Sequence, residues 1–285
     1  TRVLTTRIVW LIQTGQISPF ELLAVTFTNK AAKEMLLRIT SMLPINTRGM
    51  WVGTFHGLCN RLLRSHHREA NLPQTFQILD AADQRSLIKR VMKSLSIDEN
   101  RYSFRQVQYF INSNKEEGSR PDKVESVDEF SRTLIEIYRE YDRACAHEGV
   151  VDFSELLLRS YELLTKNERL IKHYQNRFKH ILVDEFQDTN ESQLNFLELL
   201  TENFAGNPQK SFFAVGDPMQ SIYRFRKAEV EIFTRVQKRG ISDLKLKSLF
   251  LKVNFRSSKG IIDWLNNSYS KVFPILNLPD EGSIP

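Results

Sequence analysis

The residues best placed to do chemistry stand together at His180-Ile181-Leu182-Val183-Asp184-Glu185-Phe186-Gln187-Asp188-Thr189-Asn190. Ile181 to Val183 reads as a short apolar strand that runs directly into acids. A buried strand ending in Asp-Glu brings two carboxylates to the edge of a sheet, and in parallel α/β proteins ligands bind at that edge. Asp184 there suits a magnesium ion, held largely through its water shell. Glu185 suits a base that orients a water and deprotonates it for attack on a γ-phosphate. On this pair alone, a strand followed by a solvated acidic loop stays open as a reading.

The elements around the pair supply further polar strand ends. Leu22 to Phe27 is a mostly apolar strand, and Thr28-Asn29 caps a helix over 30–43 that Pro44 stops. Met50 to Thr54 is a second strand, leading into Phe55-His56-Gly57 and a helix to about Ala70. Val3, Leu4, Ile8 and Leu11 keep helical spacing from the first residues onward. Strand–helix alternation returns with Ile181–Val183, a helix from Glu191, a strand over 211–215 ending in Gly216-Asp217, and a helix near 228–238. A last strand is expected over about Leu246–Val253, before a helix from Lys259. In a parallel sheet the polar strand ends share one rim. A rim with carboxylates, Gln220, hydroxyls and aromatics suits a nucleotide with its metal, and also stacked bases.

Between about Asp80 and Phe178 the pattern is helical, with almost no strand signal. Asp80 caps one helix and Asp152 another. Leu134, Ile137, Tyr138, Tyr141 and Cys145 line a long helix that Gly149 ends. Because alternation resumes afterwards, the block reads as a helical insertion into one α/β domain.

The totals bound the partners. The 285 residues carry 41% hydrophobic and 26% charged side chains, as a globular protein does. A net charge of +6 permits a polyanionic partner. Cys59 and Cys145 lack metal spacing, so free thiols are expected. No apolar run reaches membrane-spanning length, and a cytoplasmic location with no membrane partner is expected. The first residue is Thr1 and the first helix is already under way, which suggests a chain whose true beginning is missing.

Scanning for a glycine-rich phosphate loop, G-x-x-x-x-G-K-[ST], finds none. Thr1 nonetheless opens a helix where the last residue of such a loop would stand, and its hydroxyl could ligate magnesium beside Asp184. An arbitrary N-terminus explains Thr1 equally.

Five segments stand in order: Leu23-Ala24-Val25-Thr26-Phe27-Thr28-Asn29-Lys30-Ala31-Ala32, Gly53-Thr54-Phe55-His56-Gly57, Val183-Asp184-Glu185-Phe186-Gln187-Asp188-Thr189-Asn190, Gly216-Asp217-Pro218-Met219-Gln220-Ser221-Ile222-Tyr223-Arg224-Phe225-Arg226 and Asn254-Phe255-Arg256-Ser257. They closely resemble motifs Ia, Ib, II, III and IV of the superfamily 1 DNA helicases of the UvrD/PcrA/Rep type. The helical block, with Val151-Asp152-Phe153-Ser154-Glu155-Leu156-Leu157 near its end, also looks like the helical subdomain inserted in that family.

The resemblance implies an α/β fold: a RecA-like P-loop NTPase parallel sheet with an inserted all-helical subdomain and the start of a second RecA-like domain. Residues 1–55 and 179–245 would form the first RecA-like domain, 56–178 the insertion, and 246–285 the start of the second. It implies an ATP-dependent DNA helicase of DNA repair that moves 3′ to 5′ on single-stranded DNA and at single-strand/duplex junctions, with ATP and Mg2+ as cofactors and repair proteins as partners. By motif, Asp184 and Thr1 would hold magnesium, Glu185 would activate the water, and Gln220 would sense the γ-phosphate. Arg256 would be an arginine finger, with Phe255 packed near the nucleotide. Phe27, His56, Tyr223, Phe225 and Arg226 would line the DNA track. By residue type alone, Phe27 and Phe225 also fit a core, His56 a helix start and Arg256 a surface ion pair.

Three departures accompany the resemblance. The phosphate-gripping lysine loop is absent, motifs V and VI are absent, and Met219 and Phe225 replace the acid and tryptophan usual in motif III. The last third resembles instead the RecB/AddA-type helicase subunits of recombination nucleases. The isolated chain is therefore expected to bind ATP weakly and hydrolyse it negligibly. A RecB/AddA-type motor subunit and a non-hydrolysing single-stranded-DNA binding module remain as rival readings. Arg61, Arg64, His66, His67 and Arg68, with Arg85, Lys89, Arg90 and Lys93, offer basic helix faces that suit either solvent or duplex DNA.

Overall fold

The computed structural model describes residues 2–221, 229–251, 253, 257–269 and 272. Thr1, Tyr223, Phe225, Arg226, Phe255 and Arg256, to which the resemblance gives roles, lie outside the described residues. In chain order the elements are α1 (Arg2–Gln13), β1 (Leu22–Thr26), α2 (Asn29–Met42), β2 (Trp51–Thr54), α3 (Phe55–Ser65), β3 (Gln77–Ile78), α4 (Ala81–Ser94), α5 (Phe104–Glu116), α6 (Glu129–Glu148), β4 (Val150–Val151), α7 (Phe153–Lys166), α8 (Glu168–Arg177), β5 (His180–Val183), α9 (Glu191–Thr201), β6 (Ser211–Ala214), α10 (Val230–Arg239) and α11 (Lys259–Tyr269). They fall into two compact units. The first is Thr1–Trp51, Gln175–Asn190 and Leu197–Pro285; the second is Val52–Tyr174 and Glu191–Phe196.

The strands of the first unit stand in the order β1-β5-β6. β1 pairs parallel with β5, Leu22 opposite His180 through Val25 opposite Val183. β5 pairs parallel with β6, His180 opposite Ser211 through Val183 opposite Ala214. Every residue of β1 and β5 is buried. Successive strand residues face opposite sides, so both faces of the sheet are covered, and the continuous apolar runs follow from that. Leu4, Ile8 and Leu11 form the buried stripe of α1, whereas Val3, expected on the same stripe, is exposed. One residue of offset turns a helical side chain by about 100°, enough to carry Val3 to the solvent side. Thr28 caps α2, its Oγ1 accepting from the Ala31 N–H at 3.1 Å. The helix ends at Leu43 in extended geometry, which the following Pro44 favours.

The second unit is helical. Asp80 and Asp152 accept backbone N–H bonds at the starts of α4 and α7. Asp128 and Ser131 form a reciprocal capping box on α6, and Gly149 ends that helix in left-handed geometry at φ 66°. A Cβ on Gly149 would also lie 2.8 Å from Pro73 Cγ, so two independent constraints require glycine there. The core joins Leu87, Ile88 and Met92 of α4, Val107 and Ile111 of α5, and Ile137, Tyr138 and Tyr141 of α6.

Within the block read as nearly strand-free only the two-residue strand β4 occurs, and it pairs parallel with β3, which precedes that block. One expectation about strands is corrected. The strand expected over Leu246–Val253 is absent among the described residues. Leu249, Phe250, Leu251 and Val253 are all exposed there. A strand needs a neighbour to complete its ladder, and no described strand lies alongside this segment. Among the described residues, no helix is long and apolar enough to cross a membrane.

Candidate nucleotide site

The three parallel strands deliver their ends to one level. The Asp184 N–H donates to Val25 O at 2.8 Å, and the Val215 N–H donates to Val183 O at 2.8 Å. The ladder thus continues one residue past the strands on both sides of β5. Asp184 sits at that point with its side chain buried, 3% exposed.

The chain then turns sharply. Glu185 adopts left-handed geometry at φ 54°, which non-glycine residues rarely take. A 3-10 turn, Phe186–Asp188, follows at once. Strain of this kind persists where the surroundings over-determine it, and it gathers at functional sites. Here Phe186 is anchored against the Phe212 and Phe233 rings, with centroids 6.0 and 6.2 Å away, and its N–H donates to Val215 O at 3.0 Å.

Burial pushes the Glu185 carboxyl above its ordinary pKa, and the negative charges of Asp184 and Asp188 push it further; a bond from the Phe27 backbone N–H acts the other way. Glu185 Oε2 is buried with no hydrogen-bond partner, and so is Thr26 Oγ1 at the end of β1. A buried polar atom without a partner costs about 1–3 kcal/mol, so two of them at neighbouring strand ends mark a place built to receive polar groups. Hard oxygen donors suit magnesium, which uses one or two carboxylates and takes its remaining ligands from water and phosphate. Among the described residues no cluster of three or more acidic, histidine or cysteine side chains could hold a metal by itself. The set therefore fits a magnesium–nucleotide complex and does not fit a closed protein cage.

A second loop meets the first. After β6, Asp217 caps the 3-10 turn Pro218–Gln220, its Oδ1 accepting from the Met219 N–H at 3.0 Å. Gln220 Nε2 donates to Asp217 Oδ2 at 2.7 Å. Gln187, buried, reaches across: its Oε1 accepts from the Asp217 N–H at 3.1 Å, and its Nε2 donates to Asp188 Oδ2 at 3.0 Å. Ser221 Oγ donates to the other Asp188 oxygen at 3.1 Å. Asp184, Glu185 and Gln220 thus belong to two loops joined by side-chain bonds. Gln187, Asp188 and Ser221 stand inside the motifs with no role that local sequence assigns, because their bonds form only where the two loops meet.

Phe27, the residue after β1, is half-buried and so is not a core phenylalanine. In the helical unit, Thr54 caps α3 and His56 sits in its first turn. The His56 ring lies edge-to-face with Phe153, 6.2 Å between centroids, and Phe153 is exposed.

The same unit hides a charged cluster that sequence reasoning missed. Lys115 is 1% exposed, with its Nζ 3.0 Å from Asp142, 2.8 Å from Asp152 and 2.9 Å from Glu155. Arg120 makes a two-point contact with Glu155, 2.8 Å at each nitrogen, and also bonds Glu162. Burial alone would lower the Lys115 pKa, but the three carboxylates outweigh it and raise it well above the ordinary lysine value. The available signal was spacing: Val107, Ile111 and Lys115 fall at i, i+4 and i+8, which puts the lysine on the buried stripe of α5. Cys59 and Cys145 are free and buried, as expected. Of the basic helix faces, Arg90 is taken up by Glu148 at 2.8 Å, and Arg64 lies over the Phe76 ring.

The UvrD/REP helicase N-terminal domain family matches residues 1–240. DNA helicase II of Escherichia coli (strain K12) is 46% identical over 268 residues, covering 93% of this chain and 36% of the relative. DNA helicase II of Haemophilus influenzae is 46% identical over 271 residues, with the same coverage. ATP-dependent DNA helicase PcrA of Staphylococcus epidermidis is 35% identical over 268 residues. The chain spans about a third of the length of these curated relatives, 36% in each case.

Proposed function

The chain belongs to the UvrD/REP helicase family, and from that membership we propose that it forms the nucleotide-binding part of an ATP-driven DNA motor that moves 3′ to 5′ along single-stranded DNA in DNA repair. The observation that carries this reading is the strained Glu185 turn, which sets an unpartnered carboxylate oxygen beside the buried Asp184 at the end of the central strand.

In this reading Asp184 would hold magnesium, with Thr1 as a second oxygen ligand, and the ion would supply positive charge to offset that of the phosphates. Glu185 accepts the proton of the attacking water through its unpartnered Oε2. Gln220 contacts the γ-phosphate through its carboxamide. Arg256 supplies positive charge toward the transferred phosphoryl group, and Phe255 packs beside the nucleotide. Residues 246–285 begin the second RecA-like domain, and 56–178 form the helical insertion.

Phe27, His56, Tyr223, Phe225 and Arg226 line the DNA path. Base stacking on an aromatic ring contributes about 1–3 kcal/mol per base and tolerates any sequence. A motor that passes every base needs that tolerance.

The test is directional. The intact native protein is supplied with ATP, magnesium and an oligonucleotide carrying streptavidin at one end. Displacement from a 5′-biotin end and not from a 3′-biotin end is the expected result. Displacement from the 3′ end, or none with hydrolysis intact, contradicts the reading.

A further inference from the structure

We propose that Gln187 is a positioning residue that fixes the γ-phosphate-facing loop, with Gln220, relative to the carboxylate pair Asp184–Glu185. The inference rests on the nucleotide site described above and goes beyond it, since Gln187 touches neither phosphate nor water in that scheme.

Three observations converge on this side chain. It is buried, 5% exposed, though glutamine is ordinarily a surface residue. Its carboxamide uses both ends, accepting from the Asp217 N–H at 3.1 Å and donating to Asp188 Oδ2 at 3.0 Å. The chain at Gly216 leaves it no spare room, since a Cβ there would lie 2.7 Å from Gln187 Oε1 and 3.1 Å from Gln187 N. The first bond grips the backbone of the residue whose carboxylate holds Gln220, at 2.7 Å. The second grips the acid whose other oxygen takes the Ser221 hydroxyl, at 3.1 Å.

Gln187 therefore belongs to the Glu185 turn and sets both ends of the segment that carries Gln220. The backbone bond from Phe186 to Val215 O holds only the root of that loop. Without the carboxamide, the Asp217 N–H loses its partner and the segment 217–221 hangs from its root and the Ser221 contact. Gln220 then keeps its chemistry and loses its register with Glu185.

The experiment compares wild type, Gln187→Ala and Gln187→Glu in the intact native protein. Glutamate keeps the shape and the acceptor for the Asp217 N–H but sets a carboxylate against Asp188. DNA-stimulated ATP hydrolysis is measured as separate kcat and KM, beside amide hydrogen exchange at Asp217 and the thermal midpoint without nucleotide. We expect Gln187→Ala to lower kcat about tenfold to a hundredfold, as misplacement of a reacting group does. Its KM for ATP should shift less than about threefold, because ground-state binding is retained. Asp217 amide exchange should quicken about tenfold or more, with other core amides unchanged. Gln187→Glu should fall between, and it carries the test if the alanine variant does not fold. Wild-type kcat and unchanged Asp217 exchange in a folded variant overturn the positioning role alone. Parallel losses in kcat, KM and thermal midpoint overturn it in favour of a purely structural part. A wild-type protein that hydrolyses no ATP overturns the underlying site reading and this proposal together, while the exchange data still report whether Gln187 holds the loop.

Discussion

Gln187 and Gly216 approach so closely that a methyl group on the glycine would sit 2.7 Å from the glutamine Oε1. The same methyl would meet Phe233 Cε2 at 2.8 Å. Glycine is therefore required at 216 by close approach, with no call on left-handed geometry. Gly216→Ala should destabilise the chain by about 1–3 kcal/mol, the usual cost of overpacking. A urea titration that gives the wild-type midpoint contradicts this contact.

The buried Lys115 should matter far more than its residue type suggests. Removing it leaves Asp142, Asp152 and Glu155 facing one another with one fewer cation. Breaking one partner of a buried pair costs about 3–5 kcal/mol, so Lys115→Met should destabilise the helical unit by that order. The loss should change little with added salt, because ions do not screen a buried cluster well. A loss that disappears at high salt would mean that the cluster is open to water.

Acid should act through Glu155. Burial alone would raise its pKa, but Lys115, Arg120 and Arg159 outweigh burial and hold it below the ordinary value of 4.5. A carboxylate with a depressed folded pKa contributes stability that is present above its unfolded pKa and lost as pH falls through the folded value. Asp142 works the other way: burial raises it above 3.8, so its contribution is present in acid and lost as pH rises through its folded value. The stability difference between wild type and Glu155→Gln should be flat near neutrality and shrink below the unfolded value of 4.5. A difference that grows on acidification contradicts the arrangement.

Local chemistry made much of this legible in the sequence. Thr28, Asp80, Asp152 and Gly149 marked helix ends because a cap depends on a few adjacent residues. The apolar runs ending in Thr26 and Asp184 marked the central strands because strands buried on both faces read as unbroken apolar stretches. The Leu246–Val253 run misled, since strand character needs a neighbouring ladder that no local sequence encodes. Lys115 and Gln187 escaped notice for a related reason. Each is polar and ordinarily exposed, and each is buried because groups distant in sequence satisfy it: Lys115 by Asp142 and Asp152, Gln187 by Asp217.

Glu185 is the proposed base of an ATP-hydrolysing site at the end of β5. Glu185→Gln keeps the size and the backbone geometry and removes the basic oxygen. The decisive measurement is ATP binding and single-turnover hydrolysis, side by side, in the intact native protein and this variant. Nucleotide binding should stay within about threefold of wild type, since ground-state contacts are retained, and the hydrolysis rate should fall by about a hundredfold to ten-thousandfold, the usual worth of a general base. Hydrolysis at the wild-type rate in a variant that binds ATP would contradict it.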